Sequence, residues 1–208
     1  MILIGQYDSP FVRRVAITLR LYAIPYQHRP WSVWGDADKI AAHNPLRRVP
    51  TLLLDDGTAL VETFAIVEAL DELVAPERAL LPRSGPERRD GLRIAALAAG
   101  FADKAVSLLY EGMFRQAPSA VWMDRCRGQI LGTLDVLERE RSARGSSYWL
   151  GSVLSHPDVA FTCAWRFTRE AHPRLFDPAR YPVLSDHAAR CEDLEDFREV
   201  YQPITNTL

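Results

Sequence analysis

The apolar positions of this chain fall into two regimes that meet near residue 80. In the first, short apolar runs alternate with longer stretches of helical spacing. Ile2-Leu3-Ile4 begins a run that reaches Tyr7 and reads as a strand. Phe11, Val12, Val15, Leu19 and Tyr22 then recur at helical spacing with no breaker before Pro25, which predicts a helix entered through Ser9 and Pro10. Residues 25–29 alternate and read as a second strand. Residues 36–43 suit a short helix, with Asp36 as its cap and Ile40 as its apolar contact. The apolar runs 49–54 and 58–61 flank Asp55-Asp56-Gly57, a strong hairpin signal. A helix from Thr63 to Val74 follows, with Phe64, Val67, Leu70 and Leu73 on one face. Strand, helix, strand, helix, hairpin, helix predicts a small mixed sheet with helices packed on it, a βαβ-ββα domain over residues 1–78.

The second regime is helical throughout. Residues 75–86 collect Pro76, Pro82, Ser84, Gly85 and Pro86 and read as a linker. Beyond Glu87 strand signals nearly vanish. Helical periods run over 92–114 and 118–141, and a third helix opens at Ser155-His156-Pro157-Asp158. There Ser155 suits the cap, and Asp158, three residues on, suits its capping-box partner. Tyr181-Pro182 begins a last helical stretch predicted to reach Phe197. The expected fold class is therefore α+β followed by all-α, with an all-helical domain over residues 87–208.

Composition narrows the picture further. The 208 residues are 48% hydrophobic, enough for a real core in one large domain or two small ones. The formal charge is −2, and the basic residues, all arginine except Lys39 and Lys104, alternate with acids along helical segments. That pattern fits solvated helix faces and gives no nucleic-acid surface. Cys126, Cys163 and Cys191 are far apart, form no metal-ligand spacing and suggest a reducing compartment. No metal is expected. Without a leader-like or membrane-length apolar run, a cytoplasmic location and no membrane partner are the expectation.

Candidate chemistry starts at Ser9. Taken alone it is an N-cap, although a hydroxyl beside a helix N-terminus also suits an anion. Pro50 lies inside a strand pattern where it cannot donate to a ladder, which by itself marks an edge strand. Thr63 reads as a plain helix cap after Glu62.

Together, Ser9-Pro10-Phe11-Val12-Arg13, Asn44-Pro45 with Val49-Pro50, Glu62-Thr63, and Ser155 with Asp158 resemble the soluble glutathione S-transferase family, most closely its serine-type bacterial members. The resemblance spans nearly the whole chain. It implies a thioredoxin-like N-terminal domain before an all-helical C-terminal bundle, with glutathione as co-substrate. It further implies Ser9 as the catalytic residue that holds the glutathione thiolate by donating a hydrogen bond. Phe11, Arg48, Val49, Pro50, Glu62 and Thr63 become the glutathione-binding residues. Pro50 is expected to follow a cis bond, and the Val49 backbone to pair with the cysteinyl part of glutathione. Lys39 and His43 are further candidates for the glycyl carboxylate, with solvated surface charge as their other role.

An electrophile pocket is expected between the domains, lined by Tyr110, Met113, Phe114 and Trp165 and edged by Trp31 and Trp34. Tyrosine-type relatives use a phenol near Tyr7, but here the serine spacing fits better and Tyr7 is expected to pack. Arg13 and Arg14 are expected to brace the sheet or site. Asp103 suits a surface salt bridge, or a reach to a neighbouring subunit's bound glutathione. The implied activity is detoxifying transfer of glutathione to a small hydrophobic electrophile by a homodimer. The alternatives are a glutathione-dependent disulfide reductase, isomerase or lyase, or a non-catalytic binding or regulatory protein on the same fold.

Overall fold

A computed structural model describes residues 1–204, and the chain packs as two compact units. The first contains β1 (Ile2–Ile4), α1 (Pro10–Leu21), β2 (Gln27–Arg29), α2 (Ala37–Ala41), β3 (Thr51–Leu53), β4 (Ala59–Val61) and α3 (Thr63–Glu72). Its strands run in the order β2-β1-β3-β4. β2 is parallel to β1, and β3 and β4 are antiparallel to their neighbours. Leu3, Ile4 and Leu52 of the sheet are buried against Val12, Val15, Ile17 and Leu19 of α1 and Ile66 and Leu70 of α3.

The expected elements are all present, but the strands are shorter. β1 stops before Gly5, whose backbone turns to φ 127°, so Tyr7 lies in a turn rather than on the strand. β3 begins only after Pro50, which has no N–H for the ladder.

The linker is anchored rather than loose. The Leu80 N–H donates to the Tyr22 hydroxyl at 2.7 Å, and that hydroxyl in turn donates to Asp71 of α3. Arg83 donates to the Asp71 carbonyl at 2.8 Å.

The second unit contains α4 (Gly85–Phe114), α5 (Ala120–Ser142), α6 (His156–Ala171) and α7 (Pro182–Glu192). α4 buries Gly91, Ala95, Ala98, Ala102 and Ala105, a stripe of small residues, and packs on both α6 and α5. α6 is buried along almost its whole length, from His156 through Thr168. Such a helix needs its free N-terminal amides satisfied from within the protein.

There Ser155 accepts the Asp158 N–H, and Asp158, fully buried, closes the capping box in return. Its Oδ2 accepts the Ser155 N–H at 2.8 Å and the Ser155 hydroxyl, as the capping pattern led one to expect. Its Oδ1 accepts the Trp149 N–H at 2.9 Å and lies 3.2 Å from His187 Nε2 on α7. On the far side of that ring, Arg141 Nε donates to His187 Nδ1 at 3.1 Å. Nδ1 is therefore an acceptor, and Nε2 carries the ring hydrogen toward Asp158. One carboxylate thus joins α6, α7, the 144–155 loop and, through His187, the end of α5.

The end of the chain departs from expectation. The stripe Leu184, His187, Ala188 and Cys191 would continue at positions 195 and 198, which are Glu and Arg. Phe197 and Val200 fall off that stripe, so the helix stops and the chain turns at Leu194. A separate short helix, α8 (Glu195–Arg198), then packs on α1. Residues 194–204 belong to the first unit rather than to the helical domain expected over 87–208. Residues 205–208 of that expected domain lie outside the described residues.

Candidate active site

The sheet register places the site. Ile4 pairs with Thr51 and Thr51 with Val61, so the chain leaving β1, the chain entering β3 and the chain leaving β4 meet at one sheet end. Those three segments carry Ser9 and Phe11, Arg48-Val49-Pro50, and Glu62-Thr63. The family resemblance had singled out all seven, and the fold brings the segments that carry them to the same end of the sheet.

The first segment is a tight turn. Gly5 donates to the Arg29 carbonyl at 2.9 Å, and its own carbonyl accepts from His28 Nε2 at 2.7 Å. A side chain at Gly5 would begin 2.5 Å from Val12 and 2.8 Å from Val49. Gly5 is thus where α1 and the 48–50 segment close on one another, and its φ is one that L side chains rarely adopt. Gly5→Ala is expected to destabilise the fold by about 2–4 kcal/mol, combining overpacking with backbone strain. Chemical denaturation checks this, and a cost below about 0.5 kcal/mol would contradict the close approach.

Ser9 caps α1. Its Oγ accepts the Val12 N–H at 3.4 Å and its carbonyl accepts the Arg13 N–H at 3.0 Å. The hydroxyl hydrogen meets no acceptor among the described residues, so Ser9 retains a donor at a helix N-terminus. Phe11, half-buried, sits in the first turn of the same helix.

Tyr7 is occupied elsewhere. Its hydroxyl shares a 2.8 Å bond with that of Tyr26, and its ring stacks on His28 with centroids 3.9 Å apart. Burial first, then the Tyr26 bond, raises the Tyr7 phenol far above its ordinary value. Burial likewise lowers His28, partly offset by the Gly5 carbonyl. These groups hold the turn in place.

The second segment is pinned by Asn44, whose side-chain amide donates to the Arg48 carbonyl at 2.9 Å and to Thr51 Oγ1 at 3.1 Å. The Val49–Pro50 bond is cis, as the resemblance implied. No hydrogen bond among the described residues engages the Val49 N–H or carbonyl. Arg48 reaches Glu62 at 3.2 Å, both side chains more than half exposed, so two expected ligand-binding residues pair with each other.

The third segment corrects one expectation. Thr63 is the first residue of α3, not its cap; the cap position belongs to Glu62, which lies in the left-handed region at φ 68°. No side chain among the described residues caps this helix. Its first backbone bond is from Ile66 to Glu62, which leaves the amides of Thr63, Phe64 and Ala65 facing out of the helix end. An uncapped N-terminus of a ten-residue helix with a threonine hydroxyl in its first turn suits a carboxylate. A non-glycine residue held at positive φ there fits a backbone shaped for binding.

Beside this end, Trp31 is bracketed by cations. The Arg29 guanidinium lies 5.4 Å and the Lys39 ammonium 5.8 Å from its ring, and His43 stacks at 6.1 Å. Lys39 also pairs with Asp36 at 2.6 Å. Trp34 is exposed.

In the helical unit the expected pocket residues divide. Trp165 is only 3% exposed and packs among Phe161, Phe176 and Tyr181, so it is core and not pocket wall. Tyr110 and Met113 are half-buried and Phe114 is exposed on the last turns of α4. Asp103 pairs with Lys104 at 2.9 Å, as its surface reading implied. Arg13 and Arg14 are buried in α1. Arg14 lies 4.8 Å over the Phe64 ring, whereas Arg13 binds the C-terminal segment rather than the sheet.

A small mixed sheet with helices packed on it, followed by a helical bundle, is the thioredoxin-like domain and all-helical domain that the resemblance implied. Comparison with known proteins agrees. Residues 8–73 match the glutathione S-transferase N-terminal domain model and residues 120–190 the C-terminal domain model. The chain is 34% identical over 140 residues to the uncharacterised GST-like protein YibF of Escherichia coli K12, covering 66% of this chain and 68% of that one. It is 25% identical over 190 residues to a probable glutathione S-transferase of rice, covering 88% and 80%. Among solved structures, a Methylobacterium radiotolerans glutathione S-transferase in complex with glutathione sulfonate aligns at TM-score 0.89 and 28% identity, over 100% of this chain and 98% of that one. A Methylobacillus flagellatus glutathione S-transferase with glutathione bound aligns at TM-score 0.88 and 25% identity, over 98% and 99%. The chain belongs to the glutathione S-transferase family.

Proposed function

We propose that this protein is a glutathione transferase of the serine type, acting on a small hydrophobic electrophile. The observation that carries the reading is the Ser9 hydroxyl. It accepts from Val12 and keeps its own hydrogen for a ligand at the N-terminus of α1. Glutathione lies along the 48–50 segment, its cysteinyl amide pairing with the Val49 backbone in the manner of an added strand. Its γ-glutamyl carboxylate takes the open N-terminus of α3 and the Thr63 hydroxyl, and Glu62 receives its ammonium. Arg48, with Lys39 and His43 beside Trp31, serves the glycyl carboxylate. The thiol then reaches Ser9, which donates to sulfur and stabilises the thiolate without becoming a nucleophile itself.

The glutathione-bound relatives support the ligand, and the engaged Tyr7 phenol supports serine over tyrosine. Glutathione at about a hundredfold over its dissociation constant is expected to add about 2.7 kcal/mol of stability. A thermal-shift titration should show this with glutathione and not with equal free cysteine, and Thr63→Val should weaken it. Absence of any shift at millimolar glutathione, together with no retention on immobilised glutathione, would overturn the reading.

A further inference from the structure

The segment that leaves the helical unit at Leu194 returns to the Ser9 turn. α8 lies on α1, where Arg20 Nε bonds Asp196 at 3.1 Å. Arg13, four residues after Ser9 and 2% exposed, then fastens the next turn of chain. Its Nη2 donates to the Phe197 carbonyl at 2.8 Å, its Nε donates to the Val200 carbonyl at 3.2 Å, and its guanidinium sits 5.8 Å from the Phe197 ring. A buried guanidinium with two carbonyl acceptors fixes that backbone in place. Two residues beyond Val200, the side-chain oxygen of Gln202 accepts the Tyr7 N–H at 3.0 Å, a bond across 195 residues of sequence.

That bond falls within the turn that sets Ser9. Gly5 is held by Arg29 and His28, and the Ser9 N–H donates to the Gln6 carbonyl at 3.2 Å. The Tyr7 N–H lies between these ties and points to the C-terminal segment. We propose that Gln202 is a positioning residue for Ser9. Clamped by Arg13, it fixes the peptide two residues before Ser9 and so aims the hydroxyl at the glutathione sulfur. This rests on the serine reading above. Without the acceptor the partly buried Tyr7 amide must turn to water, and the turn relaxes with it.

The experiment is a double-mutant cycle on the full chain, using Ser9→Ala, Gln202→Met and both together. Two quantities are read: the thiol pKa of bound glutathione, from thiolate absorbance, and hydrogen exchange at the Tyr7 amide. Gln202→Met is expected to speed Tyr7 exchange by about tenfold and to move the thiol pKa up by a fraction of the Ser9→Ala shift. In the Ser9→Ala background it is expected to add no further pKa shift. Gln202→Glu, which keeps an acceptor, should restore Tyr7 protection, and equal melting temperatures separate positioning from a general loss of fold.

If Ser9→Ala moves the thiol and Gln202→Met does not, this inference is overturned and the serine reading stands. If Gln202→Met moves the thiol equally in both backgrounds, Gln202 acts on something other than Ser9 and the inference is again overturned. If Ser9→Ala moves nothing, the serine reading falls and this inference falls with it.

Discussion

Asp158→Ala is expected to cost about 3–5 kcal/mol of folding stability, the usual penalty for breaking a buried charged network by removing one partner. Asp158 has no exposure, and alanine would strand the Ser155 N–H and hydroxyl, the Trp149 N–H and the His187 Nε2 hydrogen together. The Arg141 guanidinium would also lose the carboxylate it faces across the His187 ring. At about 2–4 °C per kcal/mol for a chain of this size, the melting temperature should fall by roughly 6–20 °C. Asp158→Asn keeps the acceptor oxygens only in part and should lie between alanine and wild type. Urea denaturation followed through tryptophan fluorescence reads this directly, because Trp149 is bound to the carboxylate through its own backbone. A loss below about 1 kcal/mol would mean that the network contributes no more than an exposed ion pair.

The second large effect is chemical. With an activated aryl halide as electrophile, Ser9→Ala is expected to lower kcat/KM by about 10–100-fold near neutral pH, equivalent to one or two pKa units at about 1.4 kcal/mol each. The loss should depend on pH in a definite direction. In the proposed role Ser9 favours the thiolate and so lowers the pH at which bound glutathione ionises, and its removal is expected to move the rate profile to higher pH. The ratio of wild type to variant is therefore largest below that pKa and shrinks toward unity above about pH 9, where free thiol itself ionises at about 8.5. Tyr7→Phe is the control. Its phenol is bound to Tyr26 and stacked on His28, so the profile should keep its midpoint. A tenfold loss in Tyr7→Phe with little in Ser9→Ala would return the role to tyrosine.

Much of this architecture is legible in local patterns. Asp55-Asp56-Gly57 announces the hairpin, Pro10 the start of α1, and Ser155 with Asp158 the entry to α6, because each is a device acting over three or four residues. The convergence of Ser9, Val49-Pro50 and Glu62-Thr63 is legible only through family resemblance; periodicity yields the elements but not their register. Other features leave no local trace. Glutamate does not announce a left-handed backbone, so the cap of α3 reads as Thr63 until the geometry at Glu62 is seen. Trp165 sits on a helical period that suits either a wall or a core, and only its packing decides.

The C-terminal turn is an intermediate case. The apolar stripe of α7 visibly ends at Cys191, yet nothing local says that Phe197 and Val200 would be carried to α1 by Arg13. The Gln202 bond spans nearly the whole chain and has no sequence signature at all. Arg141 and His187 read as ordinary helical positions until Asp158 lies beside them.

If Ser9 holds the glutathione sulfur as its thiolate, as proposed, the thiol pKa of bound glutathione reads that role most directly. Titrating thiolate absorbance of the saturated complex should place the wild-type pKa about one to two units below the free value of about 8.5. Ser9→Ala should move it back toward that value while glutathione still binds through the 48–50 segment and the N-terminus of α3. A bound thiol that titrates at the same pH in both proteins would contradict the account.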